Sequence, residues 1–417
     1  MVEDGALMYD AVVVGAGPIG STVARMIAER GFKTLLCEEH EFNGRPCHCT
    51  GKLTAHAFEE FDLPRDSVVN SVRAALLHSP SGKTLLIRRK TVDSYILDRE
   101  LFDSRLAEMA YSAGAELSPQ TRLDDLHRGS DGFVTLQGRK MGGLVEFRTR
   151  LVIDAEGASP ILLKKLDLQN KGRFLTGLQY EIAGVELDSS DTVELYFGRE
   201  VAPGFFAWIV PLGDDEARVG LCIRSSYATL PVRDYLERFL RNRLLSIRFR
   251  KRRVMKTYTG VLPIGGPISK SHTDSVLVVG DSAAHVKSTS GGGIYFGLKA
   301  AEAAAYTAVE SMEEGDTSER FLRRYEVRWR RSIGYELRAT AIARRILDKL
   351  TDTEFDRLFR ILSDETMSGI IQAYGDTAYQ TRLLKPIMPR LLNRLNMPSD
   401  ITIMAKIMVY GLSGLLS

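Results

Sequence analysis

Apolar residues come in two rhythms along this chain. Unbroken runs at Ala11-Val12-Val13-Val14, Leu35-Leu36-Cys37, Leu151-Val152-Ile153 and Val276-Leu277-Val278-Val279 each stop at a glycine or an acid. Runs that short, bounded by turn signals, predict strands buried on both faces, as in a parallel sheet flanked by helices. Residues 71–88, 178–187, 192–197 and 217–223 alternate instead, which predicts an antiparallel sheet with one wet face and one buried face. Helical periodicity covers residues 18–30 and 99–113 and returns from about residue 318 onward, where glycine becomes rare; no internal repeat is present. The predicted class is therefore α/β, with a Rossmann-like lobe built from residues 1–70, 96–165 and 257–312. An antiparallel-sheet lobe is expected from residues 71–95 and 166–256, and a helical C-terminal region from 313–417.

Turn chemistry adds a function to the first strand. Gly15-Ala16-Gly17-Pro18-Ile19-Gly20 follows the Ala11–Val14 run and opens a helix. In such a turn Gly15 makes the tight bend, Gly17 lets the backbone approach a pyrophosphate, and Gly20 allows helix to pack on strand. Pro18 suits the first helical turn, where no N–H partner is lost. Glu38 ends the second run, at the place where a ribose-binding carboxylate is expected. A dinucleotide is implied; this motif alone leaves NAD open.

Two later strand ends narrow the choice. Leu151-Val152-Ile153-Asp154-Ala155-Glu156-Gly157 and Val276-Leu277-Val278-Val279-Gly280-Asp281 share one plan, and with the first turn they resemble flavoproteins of the para-hydroxybenzoate hydroxylase fold. The resemblance implies FAD, with Asp154, Gly157 and Gly280 at the cofactor, Asp281 holding the flavin ribitol, and Arg99 as the helix-start arginine near the flavin.

The segment Pro203-Gly204-Phe205-Phe206-Ala207-Trp208-Ile209-Val210-Pro211-Leu212-Gly213 resembles the signature of geranylgeranyl reductases, flavoenzymes that saturate isoprenoid chains. Val210 stands where that signature carries an aromatic residue. Alternation puts Phe206, Trp208 and Val210 on one face, an apolar lining suited to a prenyl chain. The family also carries a glycine run beside the isoalloxazine ring, matched by Gly291-Gly292-Gly293 with Ile294; Ser288 replaces a proline frequent in relatives. Cys49, in Arg45-Pro46-Cys47-His48-Cys49-Thr50-Gly51, aligns with a family cysteine followed by glycine and is expected at the ring or substrate. The resemblance implies a reductase of prenylated lipid, with Cys49, Phe206 and Trp208 at the reacting pocket and Lys287 near the reduced ring. The electron donor, whether ferredoxin, NAD(P)H or another, has no sequence signal. Two other readings share these residues: a flavin monooxygenase, and a non-catalytic flavoprotein that carries electrons or lipid.

Composition changes little in this picture. Lys plus Arg at 56 against Asp plus Glu at 53 leaves +3, too balanced for a nucleic-acid binder. Four cysteines do not make a disulfide scaffold, and a Cys47–Cys49 bridge would be strained by so short a loop. Cys47, His48, Cys49 and His56 match no usual zinc spacing, so no metal is expected. The acidic start Met1-Val2-Glu3-Asp4 lacks signal-peptide character, so a cytoplasmic location is expected. The basic clusters at residues 238–253 and 323–331 suit anionic lipid headgroups or a prenyl diphosphate, or are solvated helix faces, and the apolar tail 407–417 supports at most peripheral docking at the inner membrane face.

Overall fold

The Ala11–Val14 run becomes the middle of the sheet. Leu7–Val14 pairs in parallel with Thr34–Cys37 on one side and Gly143–Asp154 on the other, and Ala11, Val12 and Val13 are wholly buried. In this computed structural model, which describes residues 7–166, 168, 172–243, 245–394, 402, 403, 405 and 406, the parallel strands run in the order Val276–Val278, Gly143–Asp154, Leu7–Val14, Thr34–Cys37, Glu116–Ser118. His272–Thr273 closes one edge, and the hairpin Thr121–Arg128 with Val134–Lys140 extends from Gly143–Asp154. Val14 stands beside both Cys37 and Asp154, and Asp154 beside Val278. The carboxyl ends of four strands therefore stop at one rim, the usual ligand edge of such a sheet.

Helices Pro18–Ala28, Arg99–Ser112, Ile294–Glu314 and Glu319–Trp329 cover one face, burying Val23, Ile27, Phe102, Leu106, Tyr325 and Trp329 among small alanines such as Ala300, Ala301 and Ala304. Asp98 accepts from the backbone N–H groups of Glu100 and Leu101, which starts the second helix at Arg99 and aims that side chain at the rim.

The second sheet has the order Arg253–Pro263, Phe174–Ala183, Glu216–Ile223, Phe206–Pro211, Thr192–Phe197, Ala74–His78, Thr84–Arg88. It is antiparallel except that Ala74–His78 and Thr192–Phe197 run parallel. Alternation encodes which face a residue occupies but not strand direction, so this pair was invisible in the pattern. The boundary expected at residue 257 falls inside Arg253–Pro263, which is the edge strand of this sheet. Within 71–95, residues 94 and 95 belong to Ser94–Leu97, which joins Lys52–Thr54 and Val68–Val72 in a small third sheet between the lobes. One face of the seven-stranded sheet packs on helix Val232–Leu240 through Leu178, Tyr180, Val219, Ile209, Leu236 and Phe239. The other face turns toward the cofactor lobe.

Helices Asp352–Leu362, Glu365–Tyr374 and Thr381–Arg394 cover the far edge, where Phe359, Met367 and Ile371 pack on Leu85. Among the described residues no helix is long and apolar enough to cross a membrane. The tail 407–417 lies outside the described residues.

Candidate active site

Gly15 adopts φ +100°, and a Cβ there would stand 2.4 Å from the carbonyl oxygen of Ala155. A Cβ on Gly20 would meet the Gly15 carbonyl, so helix and turn touch through bare backbone. Gly17 is different: nothing lies within 4 Å of where its Cβ would be. That open space sits at the amino end of Pro18–Ala28, whose N-cap, Gly17, supplies no side-chain acceptor. Free N–H groups and the helix dipole face it, which makes an anion site. Glu38 closes the rim; one carboxylate oxygen accepts from the Ala16 N–H at 3.0 Å and the other from His40.

Asp154 is buried, its Oδ2 has no hydrogen-bond partner, and burial together with neighbouring Glu156 holds its carboxyl well above the usual range. Gly157, at φ +84°, has open space above it, and its carbonyl accepts from the Ser282 hydroxyl at 3.0 Å. Gly280 turns at φ +68° with Ile19 beside it, and a Cβ on Gly297 would strike the same Ile19. The amino ends of Pro18–Ala28 and Ile294–Glu314 therefore converge. The second is capped by Gly293, again without a side-chain acceptor, and Ile294 begins the helix.

Asp281 sits between them. A Cβ on Gly293 would lie 2.9 Å from Asp281 Oδ1. Burial raises the Asp281 carboxyl, while the Arg99 guanidinium acts in the opposite sense. Arg99 is gripped by Asp103 through two bonds of 2.9 Å. Burial works against its charge, but Asp103 and the facing Cys49 and Cys47 hold its pKa well above the ordinary value. Arg99 thus acts electrostatically on Asp281 and on the Cys47–Cys49 loop, so three separate segments meet at its charge. Both cysteines are free thiols; Cys47 is buried, which pushes its pKa up, and Cys49 Sγ accepts from the Gly51 N–H at 3.3 Å.

The glycine run packs on the second sheet, since a Cβ on Gly291 would lie 2.7 Å from Leu262. Lys287 lies under the run beside Gly292 and Phe296, donates to the Thr377 carbonyl, and is pulled down to about 8 by burial and by Lys52. An unfolded lysine keeps its proton to its ordinary value, so between the two pKa values the unfolded chain binds more protons. Folding stability contributed by Lys287 accordingly rises as pH rises through that window, by about 3 kcal/mol in total. Lys287→Met should lack this gain: its urea-unfolding free energy, subtracted from that of the wild type, should change between about pH 8 and pH 10. A constant difference would place Lys287 in solvent. His285, next to it in sequence, is wholly buried against Trp329 with neither ring nitrogen bonded, and burial lowers it to about 3. It is therefore neutral at working pH and carries no acidic imidazolium proton.

The sheet face toward this cradle is floored by glycine. Gly177 pairs with Gly260, and Gly220 lies on the strand that follows. The bare positions are filled from above by Cys222 Sγ over Gly177, by His48 over Gly260 and by the Trp208 ring over Gly220. Trp208 Nε1 donates to Gln179 Oε1 at 2.9 Å, and Phe206 meets the ring edge-on at 6.2 Å. The Phe206, Trp208, Val210 alternation holds: Ala207 and Ile209 face helix Val232–Leu240, while Val210 packs on Val72, Ile96 and Val193. Arg218, buried two residues before Gly220, donates to the carbonyls of Thr50 and Leu97 at 2.8 Å each and to Glu181 at 3.1 Å. The Cys47–Gly51 loop is thereby laid across the glycine floor.

Gln179, Arg218 and the three floor glycines escaped the sequence reading. An isolated glycine inside an alternating strand signals close approach of another group, and each of these three strands carries one. The signal becomes legible only when the strands are paired.

The residues fit FAD: an open anion site over Gly17, a second uncapped helix end at Gly293, and the unpartnered Asp154 Oδ2 behind the rim. Fold and cradle define a flavin-dependent oxidoreductase with an apolar floor. Residues 10–163 match the FAD dependent oxidoreductase family and residues 174–262 the geranylgeranyl reductase catalytic domain. The chain is 34% identical to digeranylgeranylglycerophospholipid reductase 2 of Methanothermobacter thermautotrophicus, over 92% of this chain and 100% of that one. It is 35% identical to digeranylgeranylglycerophospholipid reductase of Methanocaldococcus jannaschii, over 87% and 92%. A geranylgeranyl bacteriochlorophyll reductase-like protein from Thermoplasma acidophilum superimposes with a TM-score of 0.84 at 26% identity, covering 93% of this chain and 98% of that chain. The p-nitrophenol 4-monooxygenase of Pseudomonas putida shares the fold, with a TM-score of 0.70 at 18% identity over 88% and 97%. The chain belongs to the geranylgeranyl reductase family.

Proposed function

We infer that the protein is an FAD-dependent reductase that saturates the C=C bonds of geranylgeranyl chains in archaeal ether phospholipids. Its family membership supports this, and one observation carries it: the Cys47–Gly51 loop and the Gly291–Gly293 run, both parts of the cofactor cradle, lie on the same glycine-floored face as Trp208. Bound and reduced, FAD supplies hydride for an isolated alkene. Gly15, Gly17, Pro18 and Gly20 would hold its diphosphate at the helix end, and Glu38 its adenosine ribose. Asp154, Gly157, Gly280 and Asp281 would line the ribitol side, with Arg99 opposite. Gly291, Gly292, Gly293 and Ile294 would offer backbone N–H groups to the ring edge where negative charge develops.

Phe206 and Trp208 hold the prenyl chain, and Cys49 stands beside the reacting position. A hydrocarbon alkene presents no polar handle, so shape and exclusion of water must position it. Gln179 satisfies the indole N–H, which keeps the ring edge over Gly220. Trp208→Ala is expected to lower turnover about tenfold or more while flavin stays bound, as an error in substrate placement does. The measurement is anaerobic: the flavin is reduced chemically, geranylgeranylated ether lipid is added, and the lipid is weighed by mass spectrometry. Gains in pairs of hydrogens support the reading. An unchanged lipid, or one that gains oxygen in air, overturns it. Because the substrate is a bilayer lipid, the protein works at a membrane surface.

A further inference from the structure

Between Glu237 and Asp274 the chain carries no acidic residue, yet Arg238, Arg241, Arg243, Arg248, Arg250, Lys251, Arg252, Arg253 and Lys256 all fall there. Most of these charges lie at one end of the second sheet. Successive turns, Arg248 N–H to Leu245, Arg250 to Ile247 and Arg252 to Phe249, coil the segment tightly before it enters the edge strand Arg253–Pro263. Leu245 and Phe249 point inward and are buried, while Ile247 points out at 63% exposure. Val254 and Met255 are also exposed, at 46% and 52%. Met255 is the extra residue of a β-bulge: Val254 pairs with Ile182 and Lys256 with Glu181, leaving Met255 without a partner.

The cations are unequally committed. Arg248 is buried and bound to Glu194; Arg241 and Arg252 share Glu237 at 3.9 and 3.7 Å, and Lys256 reaches Glu181 at 3.7 Å. Among the described residues Arg243, Arg250, Lys251 and Arg253 have no ion pair. The exposed acidic turn at Asp214, Asp215 and Glu216 bounds the patch on one side, since Ala183 pairs with both Glu216 and Arg253. Charges alone would protect an edge strand from pairing with another chain. Ile247, Val254 and Met255 are exposed among those charges, and apolar exposure within a charged segment marks a contact surface. Apolar side chains flanked by Arg and Lys are the composition that seats in an anionic bilayer interface.

The same strand connects this corner to the site. Thr259 accepts from His48 of the Cys47–Gly51 loop, Gly260 lies under His48, and Leu262 meets Gly291. We propose that residues Ile247, Arg250, Lys251, Arg253, Val254 and Met255 form the surface by which the protein docks on anionic phospholipid membranes, with the edge strand leading from the bilayer to the reacting pocket. The proposal rests on the lipid-reductase reading, and its test is separable from it because binding is measured without turnover.

Flavin-loaded protein is mixed with vesicles of anionic phospholipid or of neutral phospholipid at low salt, and the bound fraction is measured by flotation. The expected result is binding to anionic vesicles alone, weakened by salt. Arg250→Gln, Lys251→Gln and Arg253→Gln combined should weaken it on the order of a hundredfold, and Ile247→Ser with Met255→Ser should weaken it with the net charge unchanged. Retained flavin absorbance and unchanged turnover on detergent-dispersed lipid show that each variant is folded. Equal binding by wild type and variants, equal binding to neutral vesicles, or no binding overturns the proposal. So does a result in which the variants lose only their rate of reduction by an acidic electron-carrier protein, which would make the patch a protein dock. Failure of the reductase reading would appear instead as an unchanged lipid mass in every variant.

Discussion

Gly17→Asp should yield a folded protein that comes out of purification without its yellow colour. Gly17 has an extended backbone that any residue can adopt, and no atom lies within 4 Å of a Cβ there. An aspartate at this N-cap would accept from the free N–H groups of Pro18–Ala28 and meet the positive end of its dipole, stabilising the apo protein by about 1 kcal/mol. The same carboxylate would stand where the diphosphate is proposed to approach. Two negative charges in contact at a partly buried position repel by about 4 kcal/mol, roughly a thousandfold in affinity for FAD. Thermal melting and flavin absorbance, read together, separate the two effects. A variant that melts at or above the wild-type temperature but retains full flavin would show that the diphosphate lies elsewhere.

Arg218→Met should cost about 3 to 5 kcal/mol of folding stability, the penalty for breaking a buried charge network from one side. Arg218 is 5% exposed, and its guanidinium donates to the carbonyls of Thr50 and Leu97 and to the carboxylate of Glu181. Methionine keeps much of the volume but removes this donor from the Thr50 and Leu97 carbonyls, while Tyr258 still donates to Glu181 at 3.1 Å. The Cys47–Gly51 loop would lose its tie to the sheet, so turnover should fall with stability. The urea midpoint is the readout. A loss below about 1 kcal/mol, the range of exposed pairs, would mean that the network is solvated.

The rim at which Gly15, Glu38, Asp154 and Gly280 meet was legible because each residue sits at the end of its own apolar run. Strand, turn and helix start follow one another within a few residues, and the chemistry of Gly15 or Pro18 is decided by its own backbone. Arg99 was placed at a helix start by the periodicity over 99–113 and by the family resemblance, and the structure adds Asp98 as its cap. Its partner Asp103 was also within reach, being one helical turn away. The Phe206 and Trp208 face was legible from alternation alone.

Other parts depend on which strands become neighbours. Gly177, Gly220 and Gly260 are unremarkable singly and form a floor only because three strands from separate stretches pair in one register. Arg218 joins residues far behind it in the chain, and Lys287 meets Thr377 across a helical region that carried no motif. The parallel pairing of Ala74–His78 with Thr192–Phe197 has no trace in either strand's pattern.

By itself, the order of residues determined the strand–turn–helix rim, the class of sheet and the apolar face, since turn geometry, helix starts and side-chain alternation are local properties of the backbone. Only the tertiary structure decided where the Cys47–Gly51 loop lies, what covers the glycine floor and why Lys287 is pulled down to about 8. Those depend on burial and on contacts between segments far apart in the chain, and the free energy of a buried charge or a packed ring belongs to all of its neighbours at once.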